Sequence, residues 1–203
     1  MNKRIILGSA SPRRRELLAQ VGVEFEVRVS GKEEIYRSDI PEEIVKELAL
    51  MKAENVVEEM TSASDAGEPL KNTVVLGADT VVVLDGQILG KPGDREDAAR
   101  MLQALQGREH KVFTGVAVLD FDGDGRKNVV NYAVGTTVYV NRMTEEEMEA
   151  YIATGEPMDK AGAYGIQGRF AAYIDRIDGD FYNVVGLPVS RVYQTLKEIG
   201  AIG

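Results

Sequence analysis

The segment Thr73-Val-Val-Leu-Gly-Ala-Asp-Thr-Val-Val-Val-Leu84 constrains this chain more than any other. It is a run of β-branched and apolar residues, the pattern of a strand buried on both faces, with one carboxylate, Asp79, at its middle. A lone ionised side chain in such a place costs on the order of several kcal/mol unless a cation or a metal meets it. The run therefore predicts a central strand and a positively charged partner for Asp79. Gly77-Ala78-Asp79 also fits a simple turn that would break the strand, since Gly and Asp are ordinary turn formers.

Other patterns build an α/β chain around that strand. Lys3–Leu7 reads as a first strand, its apolar stretch too short for a signal peptide. Ser11 as N-cap with Pro12 at the first helical position opens a helix whose buried face is Leu17, Leu18 and Val21, with Gly22 as its stop. Phe25–Val29 reads as a second strand, and Pro41 opens a long helix to about Met60. Thr61–Asn72 is polar and Gly/Pro-containing, hence a surface loop. Asp85-Gly86 turns the Asp79 strand back into Gln87–Leu89. A helix over Asp94–Leu105 is followed by strands over Lys111–Leu119 and Val129–Val140. Thr144 and Glu147 have capping-box spacing at the start of a short acidic helix ending at Gly155. A Gly-rich stretch, Ala161–Gly168, then a strand over Phe170–Ile177 and a helix opening near Pro188 complete the chain. Strands and helices alternating in this way predict a mixed sheet in a single domain, 1–203.

Composition narrows the chemistry. With no cysteine and one histidine, His110, thiolate zinc sites, disulfides, a cysteine nucleophile and multi-histidine metal sites are excluded. A metal here has to be held by carboxylates, which suits Mg²⁺ or Mn²⁺. A net charge of −9 argues against a nucleic-acid groove. No segment approaches the ~20 apolar residues of a membrane span. A cytoplasmic enzyme acting on a small metal-bound ligand fits these bounds.

The candidate site residues are mostly charges in unusual surroundings. Arg13-Arg14-Arg15 lies in a first helical turn, where the macrodipole disfavours cations by up to about 1 kcal/mol each. An anion at the same helix end removes the conflict, and the small residues Gly8-Ser9-Ala10-Ser11 let it approach the backbone; a solvated Arg cluster is the plainer alternative. No Walker-type loop is present. Lys52 interrupts the apolar stripe Val45, Ala49, Val56, as a cation for the site or as a snorkelling surface lysine. Lys91 follows the hairpin in Gly90-Lys91-Pro92 and becomes a phosphate ligand if it lies beside Asp79. Glu33-Glu34 is a surface pair by default, yet Asp79 with one of these glutamates is sufficient to hold Mg²⁺. Asp120-Phe-Asp-Gly-Asp-Gly125 imitates a calcium loop but has Asn131 at its twelfth position, so it predicts a hairpin tip. His110 is expected to be structural, and Asp175, Asp178 and Asp180 a polar turn.

Together these pieces resemble a family. Ser9-Ala10-Ser11-Pro12-Arg13-Arg14, Glu33-Glu34, Lys52-Ala53, Gly77-Ala78-Asp79-Thr80-Val81, Gly90-Lys91-Pro92 and His110-Lys-Val-Phe-Thr-Gly115 follow the order of motifs in the Maf nucleotide pyrophosphatases. Asp159-Lys160-Ala161-Gly162-Ala163-Tyr164-Gly165-Ile166-Gln167-Gly168 and Tyr182-Asn183-Val184-Val185-Gly186-Leu187-Pro188 complete the series. The resemblance implies an elongated mixed β-sheet with flanking helices, two lobes around a cleft, similar to inosine triphosphate pyrophosphatases. It implies hydrolysis of a nucleoside triphosphate to the monophosphate and pyrophosphate with a divalent metal, and a homodimer. The Gln167 segment looks like that of the subgroup acting on dTTP and UTP. There Arg13, Thr80 and Gln167 correspond to positions associated with pyrimidine selection, and Asp79 to the proton acceptor. Glu34 would share the metal with Asp79, and Ser9, Ser11, Arg14, Lys52, Lys91 and Lys160 would serve the triphosphate. The alternatives are a 7-methyl-GTP pyrophosphatase of the sister subgroup, a triphosphate-using transferase, and a non-catalytic nucleotide sensor acting in division.

Overall fold

A computed structural model describes residues 3–32, 34–62 and 70–203. Its helices and strands run in the order β1 (Arg4–Leu7), α1 (Pro12–Gln20), β2 (Glu26–Val27), α2 (Pro41–Ser62), β3 (Thr73–Leu84), β4 (Gln87–Leu89), α3 (Arg95–Leu105), β5 (Glu109–Phe121), β6 (Lys127–Val140), α4 (Glu145–Ala153), β7 (Ile174–Asp178), α5 (Phe181–Val185) and α6 (Val189–Glu198). Seven strands form one mixed sheet in the order β2-β1-β3-β5-β6-β7, with β4 paired to β3 off that path. β1 pairs in parallel with both β2 and β3, placing Leu7 opposite Val27 and Leu76, whereas β4 and β7 pair antiparallel with β3 and β6. The α/β class and the mixed sheet expected from the pattern are thus present.

Most local signals act as expected. Ser11 caps α1, its side chain accepting from the Arg14 N–H with Pro12 in the first turn. Thr144 and Glu147 form a full capping box on α4. The run Thr73–Leu84 is one unbroken strand, buried except at Asp79 and Thr80, so Gly77-Ala78-Asp79 is no turn. The calcium-like segment is a hairpin tip, where the Asp122 carboxylate accepts from the Asp124 and Arg126 N–H groups. Three expectations need correction. The second strand shrinks from Phe25–Val29 to two exposed residues at the sheet edge. Phe170 begins no strand: residues 169–173 wind as a 3-10 turn because Phe170, fully buried, packs its ring against Tyr151, Tyr164 and Tyr173. Finally, α2 extends to Ser62, so the loop starts later; its residues 63–69, like Met1, Asn2 and Glu33, lie outside the described residues.

The chain divides into two compact units: Met1–Asp79, Thr114–Ala133 and Gly186–Gly203 in one, Thr80–Phe113 and Val134–Val185 in the other. In the first, α2 lies on the sheet through Ala49, Ala53, Val56 and Met60, which pack with Ile6, Val75, Ala117, Leu119 and Phe121. Two strand glycines permit this seat. A Cβ on Gly77 would stand 2.1 Å from the Ala49 carbonyl oxygen, and one on Gly115 2.0 Å from that of Val45. Backbone meets backbone there, and no larger residue fits. In the second unit α3 packs on α4 and buries Ala98, Met101, Leu102 and Leu105. Asn183, wholly buried on α5, donates to the Val112 carbonyl and the Thr136 hydroxyl. Among the described residues no helix is long and apolar enough to cross a membrane.

Candidate active site

The close seat of α2 on β3 delivers Lys52 to Asp79. Lys52 sits beside Ala53 on the buried stripe of the helix, and Asp79 is two residues beyond Gly77 on the strand. The Lys52 ammonium lies 2.5 Å from Asp79 Oδ1 and 3.1 Å from Glu34 Oε1. Glu34, on the irregular segment before α2, is half exposed, whereas the Asp79 side chain keeps only 14% of its surface accessible. The buried carboxylate therefore has its cation, and a second carboxylate converges on the same cation. Two acids against one ammonium leave the trio itself with a net charge of −1, and the Arg14 guanidinium lies in the field of both acids.

The arginine cluster separates into unlike members. Arg14 is buried; its guanidinium donates to the Gly186 carbonyl at 2.7 Å and to Ser9 Oγ at 3.0 Å. Burial pulls its pKa below the usual arginine value, Asp79 and Glu34 pull it back up, and neighbouring Arg13 pushes it down. The group stays protonated regardless. Arg14 thus braces the loop between β1 and α1: Ser9 Oγ, which it holds, also accepts the Ser11 N–H at 3.3 Å. Arg13 is half-buried beside it in the first turn of α1, and Arg15 is exposed with a contact to the Ala10 carbonyl. The predicted conflict with the helix dipole is relieved for Arg14 by protein acceptors as well as by the field of two acids.

The remaining candidates belong to the second unit. Thr80 is half-buried on β3 and, as Asp79's neighbour, faces the other side of the strand. Lys91 is exposed before buried Pro92, and its loop is tied to the Gly-rich stretch by the Gly162 N–H donating to the Gly90 carbonyl at 3.0 Å. Lys160 is engaged within that stretch, donating to the Glu156 carbonyl at 2.7 Å and Asp159 Oδ1 at 2.6 Å. Gln167 is exposed on a tight turn between Gly165 and Gly168. His110 is buried, with Nε2 2.7 Å from the Tyr164 hydroxyl, and burial pushes its pKa down to about 4. A neutral, enclosed imidazole is structural, as the sequence suggests. The sequence does not single out Ser9 as Arg14's acceptor or Glu156 as a ligand of the Gly-rich stretch; only the spacing Gly165-x-x-Gly168 hints at the second.

Could a metal sit among these acids? Among the described residues no three of His, Asp or Glu gather into a cluster. Asp79 and Glu34 nevertheless already share one cation, and two oxygen donors suit a Mg²⁺ ion that takes its other ligands from water and phosphate. The donor set fits a hard divalent ion.

Comparison with known proteins identifies the scaffold. A family model described as Maf-like protein matches residues 4–199. The chain belongs to the Maf family. A dTTP/UTP pyrophosphatase of Agathobacter rectalis is 49% identical, with 97% of each chain covered. One from Lachnoclostridium phytofermentans is 46% identical over 97% of this chain and 95% of its own, and one from Dictyoglomus thermophilum 46% over 98% of each. A HAM1 protein from Coxiella burnetii has a similar fold, with a TM-score of 0.50 at 14% identity, covering 98% of this chain and 100% of its own. The family model runs through both compact units, so the Maf chain has its acids and Lys52 in one and Lys91, Lys160 and Gln167 in the other.

Proposed function

We propose that this Maf chain hydrolyses nucleoside triphosphates, dTTP and UTP foremost, to the monophosphate and pyrophosphate, as one functional domain spanning both units. The observation that carries this is the junction of Lys52, Asp79 and Glu34 in a chain 49% identical over 97% of its length to a protein named dTTP/UTP pyrophosphatase. Water attacks the α-phosphorus in line, with Asp79 orienting it and accepting its proton. Asp79 and Glu34 would hold the divalent cation, which when bound neutralises phosphate oxygens. Lys52 keeps the Asp79 carboxylate in place and, with Arg13 and Lys91, offsets triphosphate charge. Arg14 and Ser9 shape the loop whose Ser11 and backbone N–H groups receive phosphate oxygens, and Lys160 assists. No covalent nucleophile is needed, because phosphoryl chemistry depends mainly on positioning and charge stabilisation. Gln167 presents its amide, at once donor and acceptor, to the pyrimidine edge, with Arg13 and Thr80.

The test is to incubate the purified protein with individual canonical and modified triphosphates and Mg²⁺, resolving pyrophosphate from orthophosphate. Pyrophosphate with UMP and dTMP is the expected result. Cleavage of 7-methyl-GTP alone would overturn the substrate assignment, and no cleavage with Mg²⁺ or Mn²⁺ would overturn the reaction. Family resemblance also supports a cytoplasmic homodimer; a monomer in sedimentation at micromolar concentration would refute the dimer.

A further inference from the structure

The turn that carries Gln167 is fastened at both ends by one phenol–carboxylate pair. The Gly168 N–H donates to the Gly165 carbonyl at 3.1 Å, so Gln167 occupies the third position of a tight turn, with Ile166 buried as its anchor. On the near side the Gly165 N–H donates to the Tyr151 hydroxyl at 3.2 Å. That hydroxyl donates to Glu156 Oε1 at 2.9 Å. On the far side the Arg169 N–H donates to Glu156 Oε2 at 3.1 Å. Both carboxylate oxygens are used, one at each end of the turn.

One glycine lies directly against this strut and the other against the Lys160 side chain. A Cβ on Gly168 would lie 2.0 Å from Glu156 Oε1 and 2.5 Å from Oε2, and one on Gly165 2.7 Å from Lys160 Cε. Lys160, donating to the Glu156 carbonyl, fixes the carboxylate's own backbone. Tyr151 is buried against the Phe170 ring at 5.2 Å, and burial pushes its phenol up, so the hydroxyl remains a donor to Glu156. Backbone on both sides of the turn is therefore tied to one carboxylate, directly at Arg169 and through the Tyr151 hydroxyl at Gly165, next to the exposed Gln167.

We propose that Glu156, braced by Tyr151, is a positioning residue for base selection, holding the Gln167 turn where its amide meets a pyrimidine edge. The proposal rests on the reading of Gln167 as the base-selecting residue. A purely stabilising strut would lower folding stability and affect every substrate alike. A positioning strut acts through Gln167 and separates one base from another.

The experiment compares the full-length chain with its Glu156→Gln, Tyr151→Phe, Gln167→Ala and Glu156→Gln/Gln167→Ala variants, measuring kcat and KM for UTP, dTTP and CTP with Mg²⁺. In Glu156→Gln one acceptor oxygen becomes an NH₂ donor, so either the Arg169 N–H loses its acceptor or the Tyr151 hydroxyl must turn to accept from the amide while it also accepts the Gly165 N–H; either change loosens one end of the turn. The expected result is a fall of at least tenfold in the UTP-to-CTP ratio of kcat/KM, mostly through KM for UTP. The double variant should discriminate no worse than Gln167→Ala alone, and Tyr151→Phe should reproduce the effect from the Gly165 end without altering charge. A wild-type ratio and KM in both strut variants would overturn the proposal, as would equal losses on UTP and CTP that add to those of Gln167→Ala. A wild-type protein that cleaves no pyrimidine triphosphate overturns the functional reading itself; an active one with unaltered strut variants overturns only this inference.

Discussion

Gly77→Ala tests the most consequential contact in the fold. The added methyl would lie 2.1 Å from the Ala49 carbonyl oxygen, 2.9 Å from the Ala53 nitrogen and 3.0 Å from Ala53 Cβ. Cβ atoms essentially never approach within 3.0 Å, so helix α2 must withdraw from β3 by at least 0.9 Å, the difference from 2.1 Å. Overpacking of this kind costs about 1–3 kcal/mol. For a chain of this length each kcal/mol lowers Tm by about 2–4 °C, so a fall between about 2 and 12 °C is expected. The functional loss should be larger than the stability loss suggests. Lys52 rides on the same helical turn, and its 2.5 Å contact with Asp79 is what the retreat lengthens. A misplacement near 1 Å is worth about a hundredfold in rate. Thermal unfolding followed by circular dichroism, with pyrophosphate release on UTP, measures both quantities. Gly93→Ala, whose Cβ would meet nothing within 4 Å, is the control and should leave both nearly unchanged. A Gly77→Ala protein with wild-type Tm would refute the packing argument. One that melts early yet turns over normally would refute the claim that the helix seat sets the Lys52–Asp79 geometry.

Asp79→Asn keeps the shape of the site but removes the proton acceptor; kcat should fall by about 10²–10⁴ with nucleotide binding, measured by calorimetry, largely retained. Near-normal turnover would eliminate Asp79 as the base. Dialysis against EDTA should abolish pyrophosphate release and Mg²⁺ should restore it, whereas persistent activity in chelator would remove Asp79 and Glu34 from a metal-binding role. His110 predicts an acid sensitivity whose sign follows from burial. Its folded pKa, about 4, lies below its ordinary 6.5, so the unfolded chain binds the extra proton first. Its contribution, on the order of 3 kcal/mol, is complete above pH 6.5 and is lost as pH falls towards 4. Denaturant titrations of the wild type and His110→Gln should converge over that window; a constant difference between them from pH 7 to pH 4 would exclude the imidazole as the source.

What could be read from the sequence was whatever one short segment specifies by itself. Ser11-Pro12 and Thr144-x-x-Glu147 state their helix starts through capping chemistry that needs no distant partner. Asp85-Gly86 closes its hairpin with Asp85 itself at φ 51 and Gly86 at φ 79, the left-handed pair such a turn requires. Thr73–Leu84 declares a central strand through its run of apolar and β-branched residues, buried on both sides of Asp79 and Thr80. The misread elements are those settled by tertiary contacts. The β propensity of Phe170 and Ala171-Ala172-Tyr173 gives way to a 3-10 turn because the aromatic ring is worth more buried among three others than aligned in a sheet edge. α5, five residues long, is too short to show a helical period and is held by Asn183 reaching β5 and β6.

The candidate site divides along the same line. Asp79 and Lys52 are each conspicuous alone, as a charge interrupting an apolar pattern, and the two anomalies turn out to be one ion pair. Each charge is out of place only until the other is set beside it, so the sequence posed the question twice and the packing of α2 answers it once. Arg14 is different. Nothing in its own segment says that it will be held by the carbonyl of Gly186, 172 residues away. Glu156 is more hidden still, since an acid after an acidic helix reads as surface charge, and only the glycines at 165 and 168, which would collide with it or its neighbour if they carried a Cβ, record its presence. Close-approach glycines are therefore the readable trace of partners that are not themselves readable, at Gly77 and Gly115 for the helix that carries Lys52 and at Gly165 and Gly168 for the strut beneath Gln167.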